Sequence, residues 1–155
     1  MSTEQRAKDV AELELQVNRQ LSNLHVLYIK LHHYHWYVKG PHFFSLHEKF
    51  EDMYDSTKNH IDEIAEHMLA IKMKPCASMD EFMRNATIKE ASGHEAADEM
   101  VETISDDLFA IGEESKQLIE SLEEHQEFAI ADVFHAMLEE YKKDDWMLRA
   151  YLNKE

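Results

Sequence analysis

An all-α four-helix bundle with one long crossover is the fold this sequence predicts, on three observations. Only 3 Gly and 2 Pro occur in 155 residues, and long stretches are rich in Glu, Leu, Ala, Lys and Met, which lose least in a helix. Apolar residues recur at three- and four-residue spacing over four such stretches. One connection, after the second stretch, is much longer than the others.

The first helix is expected from Glu4 to Val38, with Val17, Leu21, Leu24, Tyr28 and Leu31 as its stripe, His35 next in the series, and Gly40-Pro41 as its stop. The second is expected from Ser45 to Ile71, with Phe50, Met53, Thr57, Ile61, Ile64 and Met68 inward. Met79 to Arg84 reads as a short extra helix inside the long connection. The third long helix spans His94 to Glu124 on a seam of Ala97, Val101, Ile104, Leu108, Ile111, Ser115, Leu118 and Leu122. The fourth, Phe128 to Asn153, carries Ile130, Phe134, Met137, Tyr141, Leu148 and Leu152. The long connection lets the third helix cross the bundle instead of returning beside the second. Residues 1–155 are expected to form one domain.

With 32 acidic and 16 basic residues the formal net charge is -16. Such a surface repels nucleic acid and anionic lipid and attracts cations; acid excess also serves simple solubility. A polar start and the absence of a long apolar run predict a cytoplasmic chain with no membrane partner. The lone Cys76 fits a reducing compartment and reads as a loop thiol without chemistry.

Imidazole and carboxylate together suit Fe(II), and carboxylates hold the harder ferric ion. His47, Glu51, Asp62 and Glu66 fall within about a 100° arc of the second helix. Glu51 and Asp62 are nonetheless about 16 Å apart along the axis, whereas ligands of one ion all lie about 2 Å from it. Two antiparallel copies related by a twofold axis bring His47 and Glu51 of one against Asp62 and Glu66 of the other. An intrachain di-iron centre would need two Glu-x-x-His pairs, and there is none; the nearest is Asp132-Val-Phe-His135. Read without any relative, an ordinary acidic helix face competes with metal binding here.

The stretch His35-Trp-Tyr-Val-Lys-Gly-Pro-His-Phe-Phe-Ser-Leu-His47-Glu-Lys-Phe-Glu51, followed by Asp62-Glu-Ile-Ala-Glu66, closely resembles the Dps family of mini-ferritins. The likeness is dense over residues 25 to 71 and continues to Glu81-Phe82 and Trp146-Met147-Leu148. It implies a ferritin-like four-helix bundle assembled as a hollow dodecamer, a homo-oligomer of tetrahedral symmetry. Iron would be oxidised between twofold-related subunits and stored inside as ferric mineral. The implied metal-binding and catalytic residues are His35, His47, Glu51, Asp62 and Glu66. Hydrogen peroxide is the expected oxidant, with oxygen the alternative. Two electrons from a pair of Fe(II) ions then avoid hydroxyl radical and protect the cell from oxidative damage.

The resemblance further assigns radical interception or a wedge role to Trp36, mineral nucleation to Glu48, Asp52 and Asp55, and an acidic threefold pore to Glu123, Glu127 and Asp132. Four departures stand out: Glu51 replaces a frequent Asp, His67 an Arg, Lys72-Met73 the Gly-Gly turn with its left-handed cap, and Asp144 a frequent His. The competing function is DNA binding with secondary iron binding, as in relatives with Lys-rich termini. Here Arg6 and Lys8 lie among Glu4 and Asp9, and Lys154 precedes Glu155, so direct DNA binding is not expected.

Overall fold

The computed structural model describes residues 2–154, which form five helices: α1 Thr3–Tyr37, α2 Phe43–Ala70, α3 Met79–Asn85, α4 Ala97–Glu124 and α5 Phe128–Tyr151. Helix starts lie within two residues of the sequence expectation, α2 beginning at Phe43 instead of Ser45, except at α4, which begins three residues late. There the Glu95 carboxylate accepts hydrogen bonds from the backbone of Ser92, Gly93 and His94. These bonds hold the approach to α4 out of helical geometry. The Glu99 carboxylate then accepts from the Ala96 N–H, satisfying one of the free donors at a helix start.

Among the described residues α1 packs on α2, α3 and α4, and α5 packs on α2 and α4, while the backbones of α1 and α5 do not come close. Cross-helix pairs give the directions. Lys30 meets Asp107 and Gln20 meets Glu114, so α1 and α4 are antiparallel. Lys49 meets Asp144 and Thr57 meets Tyr141, so α2 and α5 are antiparallel. With α1 and α2 joined by a tight turn, α2 and α4 run parallel across a diagonal, which only a long crossover can connect.

Two asparagines of α1 fasten that crossover. The Asn18 amide donates to the Lys74 carbonyl at 3.1 Å and its oxygen accepts from the Cys76 N–H at 2.8 Å. Asn23, fully buried, accepts from the Thr87 and Ile88 N–H groups and donates to Thr87 Oγ1 at 3.0 Å. Each amide satisfies backbone groups that an irregular segment would otherwise bury unpaired. Between them Phe82 of α3 stacks on His25 of α1 at 3.8 Å.

The core runs through Leu24, Leu27, Leu31, Tyr34, Phe50, Met53, Ile64, Ile104, Ile111, Phe134 and Met137, all nearly or wholly inaccessible. In α1 the seam passes through Leu27 and Tyr34, leaving Tyr28 half-buried on its flank. One ion pair is sealed inside: Lys30 Nζ donates to Asp107 Oδ2 at 2.7 Å. Burial pushes the Asp107 carboxyl up, and Lys30 opposes that shift. Such a pair fixes the register of two helices more than it adds net stability.

Lys72 corrects the expectation raised by the missing Gly-Gly turn. It adopts φ 66°, the Met73 N–H donates to the Met68 carbonyl at 2.8 Å, and the Lys72 N–H donates to the Leu69 carbonyl at 3.1 Å. The left-handed cap therefore forms without glycine, as it does at Gln126 after α4 and Asn153 after α5. A left-handed side-chain-bearing residue costs about 1 kcal/mol, partly offset by its smaller unfolded-state entropy. Lys72→Gly should raise stability by roughly 0.5 kcal/mol, read as a higher urea midpoint at equal chain concentration.

Glu95 supplies a pH signature. Burial works against its ionised form, but hydrogen bonds from Ser92 and Tyr34 prevail and hold it at about 2, below its ordinary 4.5. A depressed carboxyl stabilises the fold above the unfolded value, and that contribution fades as pH falls from 4.5 towards 2. Glu95→Gln should therefore be less stable than the parent at pH 7, with the gap narrowing through that window. A gap independent of pH would contradict the assignment.

Candidate metal centre

The tight turn after α1 depends on Gly40, whose φ of 110° is open to glycine but strained for other residues. It folds the last turn of α1 against the first turns of α2 and brings His35 beside His47. Their imidazoles stack at 3.7 Å with planes 11° apart. Each ring also reaches the other's backbone: His35 Nδ1 lies 2.6 Å from the His47 carbonyl and His47 Nδ1 lies 2.7 Å from the His35 carbonyl. A carbonyl only accepts, so both Nδ1 atoms carry the proton and donate. Both Nε2 lone pairs are thereby left available, the arrangement that orients histidine as a metal ligand. The His35 carbonyl also needs such a partner, because the last turn of a helix leaves its carbonyls unpaired.

His35 is buried, and Glu51 stands half-exposed beside it with Oε1 3.9 Å from His35 Nε2. The Tyr54 hydroxyl donates to that same Oε1 at 3.4 Å. Tyr54 in turn stacks on His32 at 3.8 Å and meets the edge of His35 at 5.4 Å. Desolvation, then the neighbouring Glu51 and Asp55 charges, push its phenol up, so it stays a hydrogen-bond donor. Spacing alone did not single out Tyr54 or His32. Their i+3 and i−3 relation to Glu51 and His35 is the signal that could have found them.

Asp62 and Glu66 lie exposed farther along α2 and do not join His35, His47 and Glu51. Among the described residues no group of three His, Cys, Asp or Glu side chains, His35, His47 and Glu51 included, is arranged to hold a metal ion within the chain. Glu48, Asp52 and Asp55 are exposed on α2. Glu123 faces His135 at 3.6 Å near the α4–α5 turn, Glu127 is half-buried there, and Asp132 is exposed. His67 spends its Nδ1 proton on the Glu63 carbonyl at 2.9 Å, and Asp144 accepts from Lys49 Nζ at 2.8 Å. Cys76 is half-buried with its thiol pushed up by burial, which suits an unreactive role.

Large apolar side chains remain exposed on one flank: Ile29, Trp36, Tyr37, Met79 and Met83. A cleft of about 190 Å³ beside α3 and a shallower depression at Trp36 share Ile29 and His33, so this surface is continuous. Trp36 is 66% exposed, with its ring 5.3 Å from His32. Among the described residues, no helix is long and apolar enough to cross a membrane.

The ferritin-like domain family matches residues 14–155. "DNA protection during starvation protein 2" of Bacillus anthracis is 44% identical over 138 residues, covering 89% of this chain and 94% of that protein. The crystal structure of a Dps protein from Bacillus brevis superposes with a TM-score of 0.91 at 39% identity, covering 98% of this chain and 99% of the other. A Dps protein from Vibrio cholerae O1, described as a member of a broad superfamily of ferritin-like diiron-carboxylate proteins, superposes at 0.88 with 28% identity, covering 94% and 91%. The fold, the matched residues and these relatives agree: the chain belongs to the ferritin-like family, in its Dps branch.

Proposed function

We propose that this protein takes up Fe(II), oxidises it at sites shared between two copies, and stores the ferric product inside a hollow dodecamer. The observation that carries this reading is the reciprocal His35–His47 pair, with both Nε2 lone pairs free and Glu51 alongside. The half-site offers two nitrogens and one carboxylate, an incomplete set for iron. The partner subunit's Asp62 and the partner subunit's Glu66 complete it when two α2 helices lie antiparallel. The exposed apolar flank around Ile29, Trp36 and Met79 exceeds what isolated surface residues explain and suits burial against a second copy.

Two Fe(II) ions each give one electron to one hydrogen peroxide, which takes two protons and leaves as two waters. Carboxylates then favour the ferric product over the ferrous substrate. In this reading Glu48, Asp52 and Asp55 receive ferric ions on the cavity wall, and Glu123, Glu127 and Asp132 line the cation entrance. Removing Fe(II) and peroxide protects DNA without touching it. The name of the Bacillus anthracis relative is consistent with that route as well as with direct binding.

Mixed assemblies test the shared site. His47→Ala and Asp62→Ala chains should each lose most peroxide-dependent Fe(II) oxidation. Co-assembled from equal parts, they should recover about a quarter of parental activity. Half of randomly formed dimers then contain both chains, and each such dimer has one intact site. A co-assembled mixture as inactive as its parents would exclude a shared site. The iron reading itself predicts two Fe(II) consumed per peroxide, followed by ferric absorbance and residual oxidant.

A further inference from the structure

Away from those ligands, three donors of different chemistry converge on the seam between α2 and α5. Ser56 and His60 lie one turn apart on α2, and both reach the Glu140 carboxylate of α5. Ser56 Oγ bonds Oε1, His60 Nε2 bonds Oε2, and Ser56 Oγ lies 3.3 Å from His60 Nε2. Beneath them Thr57 and Tyr141 share a buried 2.7 Å hydrogen bond, and the His60 ring meets Tyr141 edge-on at 5.5 Å and 81°. The floor is therefore set by core packing. The His60 side chain is 13% exposed and that of Glu140 43%, so the point where the donors meet opens to solvent.

We propose that Ser56, His60 and Glu140 form a second binding site, within one chain, for a divalent first-row transition cation. An imidazole nitrogen, a carboxylate and a hydroxyl on one side, with open positions for water on the other, make a donor set such ions accept. In the proposed site the direct imidazole–carboxylate contact gives way to two metal bonds. The position differs from that of the shared centre: Ser56 is about 7.5 Å along α2 from Glu51 and about 140° farther round. Asp52 and Glu63 fall within about 80° of arc with Ser56 and His60, giving an arriving or departing cation carboxylate neighbours.

Co(II) is the probe, because its visible absorption reports coordination and its anomalous scattering locates it. Crystals of the full assembly soaked in Co(II) should show an anomalous peak about 2 Å from His60 Nε2 and from a Glu140 oxygen. Titration in solution should lose one bound cation per chain in His60→Ala and in Glu140→Gln. Glu140→Gln keeps the side-chain shape, so it decides the matter if His60→Ala fails to fold. A map with the direct His60–Glu140 contact intact and no peak would overturn the proposal, as would unchanged stoichiometry in Glu140→Gln. The same map separates this site from the shared one. A peak at His60 without one at His35 and His47 would sink the oxidation site and leave this one standing.

Discussion

Ligands of one metal ion all lie about 2 Å from it, and four of the five candidate ligands of this chain stand on one unbroken helix of 28 residues. A straight α2 holds Glu51 and Asp62 apart as firmly as it holds each in place. The remaining architecture answers that constraint. The Gly40 turn delivers His35 to one end of α2, and the reciprocal imidazole–carbonyl bonds lock two nitrogens there in one tautomer. What the chain cannot do is bend α2 back on itself, so under the proposed function Asp62 and Glu66 would serve that centre only from another copy.

Keeping α2 straight falls to its neighbours. On one side α1 packs along it; on the other, α5 is pinned by Lys49–Asp144 and by the buried Thr57–Tyr141 bond. The backbone of the diagonal partner α4 does not approach that of α2, and the two are linked through α1 by Lys30–Asp107 and through α5 by Ser105–Asp145. The crossover is thus a structural necessity of the parallel α2–α4 pair. Its two asparagine anchors tie residues 71–96 to α1 where they have little secondary structure of their own.

Periodicity made the helices legible, because a 3.6-residue repeat over 24 to 35 residues leaves no competing strand pattern. The short helix was legible too, as Met79 to Arg84 between loop-like ends, although its cap, in which Ser78 and Glu81 exchange hydrogen bonds across one turn, was not read from the sequence. Less visible were contacts between residues far apart in sequence. Nothing local marks Asn23 as the anchor for Thr87, or Glu140 as the partner of Ser56 and His60, since each pair meets only after the helices pack. The caps at Lys72, Gln126 and Asn153 were hidden for another reason: glycine is the usual sign of a left-handed cap, and here hydrogen bonding outweighs its absence. For the candidate ligands, spacing showed that they could not share an ion within one helix. Only the likeness to the Dps family supplied His35 and named the metal.

Glu51 shows how a departure from a family pattern can be absorbed locally. A glutamate where aspartate is frequent adds one methylene and one rotatable bond, which would loosen a carboxylate left to itself. Here the Tyr54 hydroxyl holds Oε1 while the Tyr54 ring is fixed between His32 and His35. The longer arm therefore reaches towards His35 from a restrained position, with Oε1 3.9 Å from Nε2. That gap is wider than a hydrogen bond, and shared ligation of one ion by both atoms would span it without a direct contact. In the same way Asp144, standing where a histidine is frequent, spends its charge on Lys49 and the α2–α5 seam. Both residues thus find partners of their own, Glu51 in Tyr54 of the same helix and Asp144 in Lys49 across the α2–α5 seam.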